Sequence, residues 1–463
     1  MVLPDWQHPE SKQGESRDVE AQQLLTHHYW LTNTRIPLTF LDATVATREP
    51  IARLSAAPLQ EDLVATDIEI KNGHIIRVQP AGMATGSESP VADLQQGLVW
   101  PCFVDIHTHL DKGHIWERAP NPDGSFDQAL GAIAADQKQH WSAEDVYRRM
   151  EFGLKCSYAH GTRAIRTHLD AFGKQGEISL EVFKTLQQEW TGKLDLEAVC
   201  LVTLDYFQTP AGEQLADLVV EIGGILGGVA YMGPELDAQL DIAFTFARER
   251  GLDLDFHTDE SLNPADMTLR HVAMAKLRHD FGGKVVCAHC CSLSAQTPEV
   301  AANTMDWVQA AEIGIVSLPL CNLYLQDRHP ERTPRSRGVT LLHELRRRGI
   351  PIALASDNCR DPFFAYGDHD GLEVFTQSAR IGHLDRPYGD WPQTLTRTPA
   401  EMMGLPEAGR IGVGLPADLV LFKARTFNEL LSRPQCDRVV LRNGQAIDTT
   451  LPNYAELDDL VVR

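Results

Sequence analysis

The middle of the chain alternates short apolar runs with amphipathic segments. Helical periodicity is clearest over residues 142–159, 237–250 and 338–348. Strands that alternate with helices favour a parallel sheet, and eight such repeats predict a closed (β/α)₈ barrel. The eight predicted strands are 102–107, 162–168, 198–204, 224–231, 252–257, 284–289, 314–319 and 351–356.

An open, doubly wound sheet is the alternative arrangement for strands that alternate with helices. Such sheets often carry a glycine-rich fingerprint directly after the first strand, where a dinucleotide binds. The residues that follow 102–107 contain no fingerprint of this kind. The barrel is therefore the preferred fold.

Both ends of the chain carry β patterns. Residues 68–76 alternate around Asn72-Gly73, a pair that accepts positive φ at both central positions of a turn and so predicts a hairpin. Short β patterns return at 417–422 and 438–444. We therefore expect one small β-sandwich domain built from both termini. The predicted organisation is a polar lead-in at 1–25, the β-sandwich domain at 26–100 plus 405–463, and the barrel domain at 101–404.

Composition narrows the classes of partner. The 463 residues carry a net charge of −22, which argues against binding to nucleic acid backbones. The sequence contains neither the run of about 20 apolar residues of a membrane span nor a signal peptide. Nine cysteines, an odd number in a long chain, indicate reduced thiols and a cytoplasmic location. We expect a small-molecule substrate, and assembly into a homo-oligomer stays open.

Several side chains that can bind a metal ion follow the predicted strands. His107 and His109 project from one face of the first strand, about 7 Å apart at Cα. His257, His289 and Asp357 follow the fifth, sixth and eighth strands. In a barrel these strand ends open onto one mouth, where active sites lie. Imidazoles with a carboxylate suit Zn²⁺ or Fe²⁺ better than Mg²⁺ or Ca²⁺.

Longer motifs around these residues resemble the amidohydrolase superfamily. Residues 101–112 resemble its opening motif, and the resemblance continues from about residue 66 to 447. Asp111-Lys112 and residues 356–358 are similar to N-isopropylammelide isopropyl amidohydrolase. The segments similar to the cytosine deaminase branch are 165–170, 255–260, 288–289, 322–326, 333–338 and 361–363.

This resemblance implies a metal centre. It makes His107, His109, His257 and Asp357 the ligands of one divalent ion per chain, Zn²⁺ or Fe²⁺. Binuclear members of the superfamily use a carbamylated lysine at the end of the fourth strand. Residues 225–232 contain no lysine, so a single ion is expected.

The resemblance also implies hydrolytic deamination of a nitrogen heterocycle by hydroxide bound to the metal. Asp357 accepts the proton that the activated water gives up. Glu260 protonates a ring nitrogen and later the leaving amine, which is general acid–base catalysis. His289, as a cation, stabilises the developing oxyanion.

Five residues are predicted to bind the substrate. In relatives a glutamine that reads the pyrimidine edge follows the third strand, and here that position is Asp205. A carboxylate only accepts hydrogen bonds, so Asp205 predicts a substrate with additional N–H donors and weak activity on cytosine. An alignment with these relatives that is shifted by one residue remains an alternative to the placement of Asp205. A position at the rim of the barrel mouth, without substrate contact, explains Lys112 equally well. A structural role behind the metal ligands explains His168 equally well. The full set is Lys112, His168, Asp205, Asn358 and Phe363.

Two other functions remain as alternatives. The first is amidohydrolysis of an N-alkyl amino-triazine or a cyclic amide at the same site. The second is a barrel that binds metal and ligand without turnover. Glu260 and His289 argue against this second function, because a site that only binds has no need of a proton shuttle.

Overall fold

The computed structural model describes residues 27–43, 60–84 and 89–461, and the predicted lead-in at 1–25 lies outside them. The chain divides into two compact units. The first unit comprises Met1–Val104, Tyr158–Arg163 and Leu384–Leu451, and the second comprises Asp105–Ser157, Ala164–His383 and Pro452–Arg463. The domain boundaries inferred from the sequence stay a prediction.

The strands of the described residues, in chain order, are β1 (His28–Pro37), β2 (Leu63–Lys71), β3 (His74–Pro80), β4 (Val91–Asp93), β5 (Val99–Pro101), β6 (Phe103–Thr108), β7 (Thr162–Asp170), β8 (Asp195–Thr203), β9 (Ile225–Ala230), β10 (Leu254–Thr258), β11 (Val285–His289), β12 (Gly314–Ser317), β13 (Ile352–Leu354), β14 (Leu419–Leu421), β15 (Val439–Arg442) and β16 (Gln445–Ala446).

The α-helices of the same residues are α1 (Phe126–His140), α2 (Ala143–His160), α3 (Gly173–Glu189), α4 (Pro210–Glu221), α5 (Leu236–Arg250), α6 (Thr268–Arg278), α7 (Pro298–Ala310), α8 (Pro319–Leu325), α9 (Leu342–Arg347), α10 (Gly371–Gly382), α11 (Arg397–Met402) and α12 (Phe427–Leu431). None of the described helices is both long and apolar enough to cross a lipid bilayer.

The eight strands β6 to β13 form one sheet in sequential order, and helices lie between them along the chain. A parallel bridge between Thr108 and Asp357 joins the end of the first strand to the residues that follow the last. The Asp357 N–H also donates to the His107 carbonyl oxygen at 2.9 Å. The sheet therefore nearly closes on itself, and the predicted (β/α)₈ barrel is confirmed.

Each predicted barrel strand is present, with small shifts at its ends. The largest difference among the three predicted helices concerns 338–348, where the helix begins only at Leu342. Gly338 has a φ of +71°, which a right-handed helix does not allow, so the segment before Leu342 is not helical.

The first unit contains two four-stranded sheets, in the orders β3-β2-β1-β4 and β16-β15-β14-β5. The predicted hairpin joins β2 to β3, with Asn72 and Gly73 both at positive φ. The Tyr29 hydroxyl donates to the Gly444 carbonyl oxygen at 2.6 Å and so links the two sheets. Strands from both ends of the chain build this unit, as the sequence predicts.

Candidate active site

Four predicted metal ligands converge at the carboxyl ends of the barrel strands. The Nε2 atoms of His109 and His257 lie 3.4 Å apart. The Asp357 Oδ1 atom lies 3.6 Å from His107 Nε2 and 3.4 Å from His109 Nε2. All four side chains are buried. The sequence therefore predicted a set of residues that the fold brings together around one point.

The chemistry of this set fits a divalent metal ion. Within the described chain, both ring nitrogens of His107, the Nδ1 of His257 and both carboxylate oxygens of Asp357 are buried without a hydrogen-bond partner. Unpartnered buried polar atoms are costly, and coordination to a cation would satisfy several of them. Burial lowers the pKa of His107, His109 and His257 well below the usual value, which keeps the imidazoles in the neutral form that binds metals.

His168 lies behind the ligands. Its ring centroid is 3.8 Å from that of His107, and its backbone oxygen lies 3.2 Å from His109 Nδ1. The Asp255 carboxylate lies 3.2 Å from His168 Nε2 and accepts a hydrogen bond from Arg166 at 2.9 Å. Arg166, Asp255 and His168 form a buried chain of contacts that holds the His107 and His109 rings in place. His168 also lies close enough to His107 and His257 for the three residues to form a metal-binding group.

A cavity opens beside the four ligands. The rim residues Leu130 and Tyr231 are exposed. The predicted residues His107, His168 and Asp205 are not among those that line it. The lining residues are His109, Lys112, Phe126, Leu130, Leu201, Val229, Tyr231, His257, Glu260, His289, Asp357, Asn358 and Phe363.

The structure does not bring Asp205 to the cavity. Strand β8 ends at Thr203, and the chain then turns into a 3-10 helix over Leu204–Gln208. This turn leaves the Asp205 side chain exposed. From the third barrel strand it is Leu201 that lines the cavity. The predicted reading of the substrate edge by Asp205 therefore has no support in the geometry.

Glu260 and His289 lie side by side in the cavity. Glu260 Oε1 is 3.3 Å from His289 Nδ1, and the Asn322 side-chain amide is 3.0 Å from the same nitrogen. Burial, together with the charge of Asp357, raises the pKa of Glu260 well above its usual value. Burial lowers the pKa of His289 to about 4. Burial thus favours the neutral imidazole of His289, and the cationic form expected from the sequence stays a prediction.

Three residues without a predicted role position Glu260 and His289. The Gln326 amide donates to the Glu260 carbonyl oxygen at 3.2 Å. The Asp259 carboxylate accepts the backbone N–H of Leu269 at 3.2 Å and so fixes the loop that carries Glu260. Asn322 and Gln326 both belong to the segment 322–326, which contributed to the family resemblance. This resemblance is the feature of the sequence that could have identified both residues as part of the site.

The other predicted substrate-binding residues lie together on one side of the cavity. Lys112 Nζ lies 2.8 Å from Asp170 Oδ1 and 5.8 Å from the Phe363 ring centroid. Burial lowers the pKa of Lys112, but the charges of Asp170 and Asp111 and the hydrogen bond to Asp170 together raise it above its usual value, so Lys112 remains a cation. The Asp361 carboxylate accepts bonds from the Asn358 amide at 2.7 Å and from the Phe363 N–H at 2.8 Å. Asp361 thus fixes the positions of two lining residues, a role that was not predicted from the sequence.

Comparisons with known proteins agree with this geometry. The profile of the amidohydrolase family matches residues 151–447. A pterin deaminase of Rhizobium rhizogenes is 54% identical over 405 residues, which are 87% of this chain and 92% of that protein. The N-isopropylammelide isopropyl amidohydrolase of a Pseudomonas species is 23% identical, over 84% of this chain and 95% of that protein.

Solved structures share the fold. The crystal structure of 5-methylcytosine deaminase from Klebsiella pneumoniae, liganded with 5-fluorocytosine, superposes with a TM-score of 0.75 and 22% identity over 90% of this chain and 97% of that chain. The family resemblance inferred from the motifs is confirmed. These relatives are hydrolases of a metal-dependent family, and the protein is an enzyme, which sets aside the binding-only alternative. The chain belongs to the amidohydrolase family and hydrolyses carbon–nitrogen bonds other than peptide bonds.

Proposed function

We propose that the protein is a pterin deaminase, which replaces the exocyclic amino group of a pterin with oxygen and releases ammonia. The observation that carries this proposal is the 54% identity to a pterin deaminase over 87% of the chain. The motifs of the sequence independently favour hydrolytic deamination of a nitrogen heterocycle. Both arguments lead to the same cavity at the barrel mouth.

We further propose that His107, His109, His257 and Asp357 hold one Zn²⁺ or Fe²⁺ ion at this mouth. The convergence of their nitrogen and oxygen atoms and the neutral state of the imidazoles support this assignment. When bound, the ion supplies Lewis acidity that lowers the pKa of water toward neutrality.

The protein side chains move the protons of the reaction. Asp357 accepts a proton from the attacking water. Glu260 delivers its proton to a ring nitrogen of the substrate, takes up the proton that Asp357 accepted from the water, and passes that proton to the leaving amine. The proton of the hydroxyl group added to the ring then returns Glu260 to its acid form. Burial and the charge of Asp357 raise the pKa of Glu260, which favours this acid form. The Asn322 amide lies against His289 Nδ1, which leaves the Nε2–H to donate toward the developing oxyanion.

Three lining residues suit a bicyclic heterocycle with both donors and acceptors. Lys112 donates to a ring nitrogen or carbonyl oxygen, and the Phe363 ring packs against a flat face of the substrate. Asn358 uses its amide N–H on Asp361, and its oxygen, which accepts the Cys321 thiol at 3.8 Å, has a second lone pair for a ring N–H of the substrate. The cavity encloses about 70 Å³. Small-molecule sites begin at about 300 Å³, so a pterin has to displace rim side chains such as Tyr231 as it binds.

Two product assays test the proposal. Metal-loaded enzyme is offered pterin, cytosine and N-isopropylammelide, with ammonia and alkylamine measured separately. We expect ammonia release from pterin with a kcat/KM at least about tenfold above that for cytosine, since tenfold corresponds to only about 1.4 kcal/mol of transition-state binding. Isopropylamine release as the dominant reaction would instead favour amidohydrolysis of an N-alkyl triazine.

We also propose a cytoplasmic location. All nine cysteines lie in the described chain as free thiols, eight of them buried. Free thiols are typical of reducing compartments. Fractionation of the native host followed by activity assay tests this proposal.

A further inference from the structure

A second group of metal-binding side chains lies in the second compact unit, separate from the four ligands at the barrel mouth. It consists of His114, in the loop after β6, and of Cys359 and His369, in the segment between β13 and α10. One ligand atom of each residue lies within 4.8 Å of the others. All three side chains are at most 3% exposed. We call this group the second cluster.

His114 has buried polar atoms that the rest of the described chain does not satisfy. Both of its ring nitrogens are buried without a hydrogen-bond partner. The ring contacts Phe152 at a centroid distance of 4.8 Å and His369 at 5.7 Å. Leaving a buried donor or acceptor unsatisfied costs about 1–3 kcal/mol, and coordination to a cation would offset that cost.

Burial and the nearby Asp368 and Asp361 carboxylates raise the pKa of the Cys359 thiol well above its usual value, so its thiolate forms only together with a bound cation. The backbone N–H of His369 donates to the Cys359 sulfur, and the Asp368 carboxylate lies beside it. Asp368 also forms a hydrogen bond with the Cys156 thiol. Arg360 is a nearby positive charge, and it is drawn to Glu117, whose carboxylate lies 2.5 Å away. Asp361 and Asp368 thus attract a cation toward the Cys359 sulfur, and Arg149 is a second positive charge near His114.

A solvent cavity borders the second cluster at His114. A cavity of about 460 Å³ has His114 in its wall and opens between Glu117, Arg360 and the C-terminal segment that contains Tyr454 and Leu457. The cavity brings solvent up to His114, whose ring nitrogens are themselves buried, and neither Cys359 nor His369 lines it. An access route is one of the requirements for a functional metal site, together with suitable ligands and partners around them.

We propose that the second cluster binds Zn²⁺ or a similar borderline cation, in addition to the ion at the barrel mouth. Two imidazoles and one thiolate select zinc over Mg²⁺ and Ca²⁺, and water completes the four-coordinate shell. The ion ties the loop after the first barrel strand to the segment after the eighth. That segment carries Asn358 and Phe363, so the second ion stabilises one wall of the active-site cavity.

Cobalt substitution distinguishes the two sites. The four ligands proposed at the mouth offer only nitrogen and oxygen, whereas the second cluster offers sulfur. Full-length metal-free protein is titrated with Co²⁺ while the near-ultraviolet thiolate-to-cobalt charge-transfer band is recorded. We expect wild-type protein to bind two Co²⁺ ions per chain, one of them with this band, and to unfold at a higher temperature when the second ion binds.

Matched variants identify the ligands. Cys359→Ser should abolish the band and leave one Co²⁺ per chain, and His114→Asn should weaken binding of the second ion at least tenfold. Cys200→Ser, which removes another buried strand thiol, should keep the band. If Cys359→Ser does not fold, the wild-type titration and His114→Asn decide the question.

Two results would overturn the proposal. The first is a wild-type titration without a thiolate band. The second is a band that survives both Cys359→Ser and His114→Asn, which would assign it to another thiol such as Cys321. The titration measures binding and not turnover, so its failure leaves the proposed deaminase activity untouched.

Discussion

Replacing Glu260 with glutamine removes proton transfer and changes little else. Glutamine has nearly the same shape, and the backbone around position 260 is held independently by Gln326 and Asp259. Glu260 is not one of the four converging metal ligands. The variant should therefore fold and load metal like the wild type, and the loss should appear in the chemical step.

The expected magnitude follows from the position of the carboxyl group. Glu260 Oε1 lies 3.3 Å from His289 in the wall of the cavity, within reach of a bound ring. General acid–base groups contribute typically about 10²–10⁴-fold. Each factor of ten is about 1.4 kcal/mol, so Glu260→Gln should raise the barrel enzyme's activation free energy by about 2.7–5.4 kcal/mol.

The assay is steady-state ammonia release from pterin at saturating substrate, with metal content measured on the same samples. Glu299→Gln, an exposed glutamate in the first turn of α7, is the matched control and should retain wild-type kcat. A Glu260→Gln variant with full metal content and a kcat within about threefold of wild type would remove Glu260 from the mechanism, since general acid–base catalysis contributes far more.

Three further variants test separate parts of the account. Asp357→Ala should abolish turnover even in samples that retain metal, measured by ammonia release, because the attacking water loses its proton acceptor. Asp145→Asn should lower the free energy of unfolding by about 3 kcal/mol in urea titrations, since Asp145 pairs with Arg118 at 2.6 Å and Arg149 at 2.7 Å in a buried cluster. Burial raises the pKa of Asp145, but these two arginines outweigh burial and lower it, so its contribution is full above about pH 4 and is lost as the pH falls through the lowered pKa. Asp205→Gln should leave the ratio of pterin to cytosine activity within about twofold of wild type, a change below 0.5 kcal/mol, because the side chain is exposed outside the cavity.

Local pattern and strand order explain what the sequence predicted well. Apolar runs between helical segments give the eight barrel strands, and a barrel brings all strand ends to one mouth. That geometry alone places His107, His257 and Asp357 near one another although they are far apart in the chain. Their convergence in the structure follows from the barrel topology, and the periodicity of apolar residues along the chain predicts that topology.

Contacts between distant segments explain what the sequence did not predict. The resemblance to relatives with a glutamine after the third strand predicts Asp205 at the substrate, but β8 ends at Thr203 and the following 3-10 helix leaves the side chain exposed. The lowered pKa of His289 depends on burial, a property of the folded chain. Asn322 contacts His289 Nδ1 at 3.0 Å. The segment 322–326 contributed to the family resemblance, but the periodicity of the sequence does not predict this contact.

The most direct test of the central claim is the reaction of pterin with metal-loaded enzyme in isotopically labelled water. The account predicts one ammonia released for each pterin consumed, with labelled oxygen in the product at the carbon that carried the amino group. Consumption of pterin without ammonia, or ammonia without labelled product, would contradict hydrolytic deamination at this site.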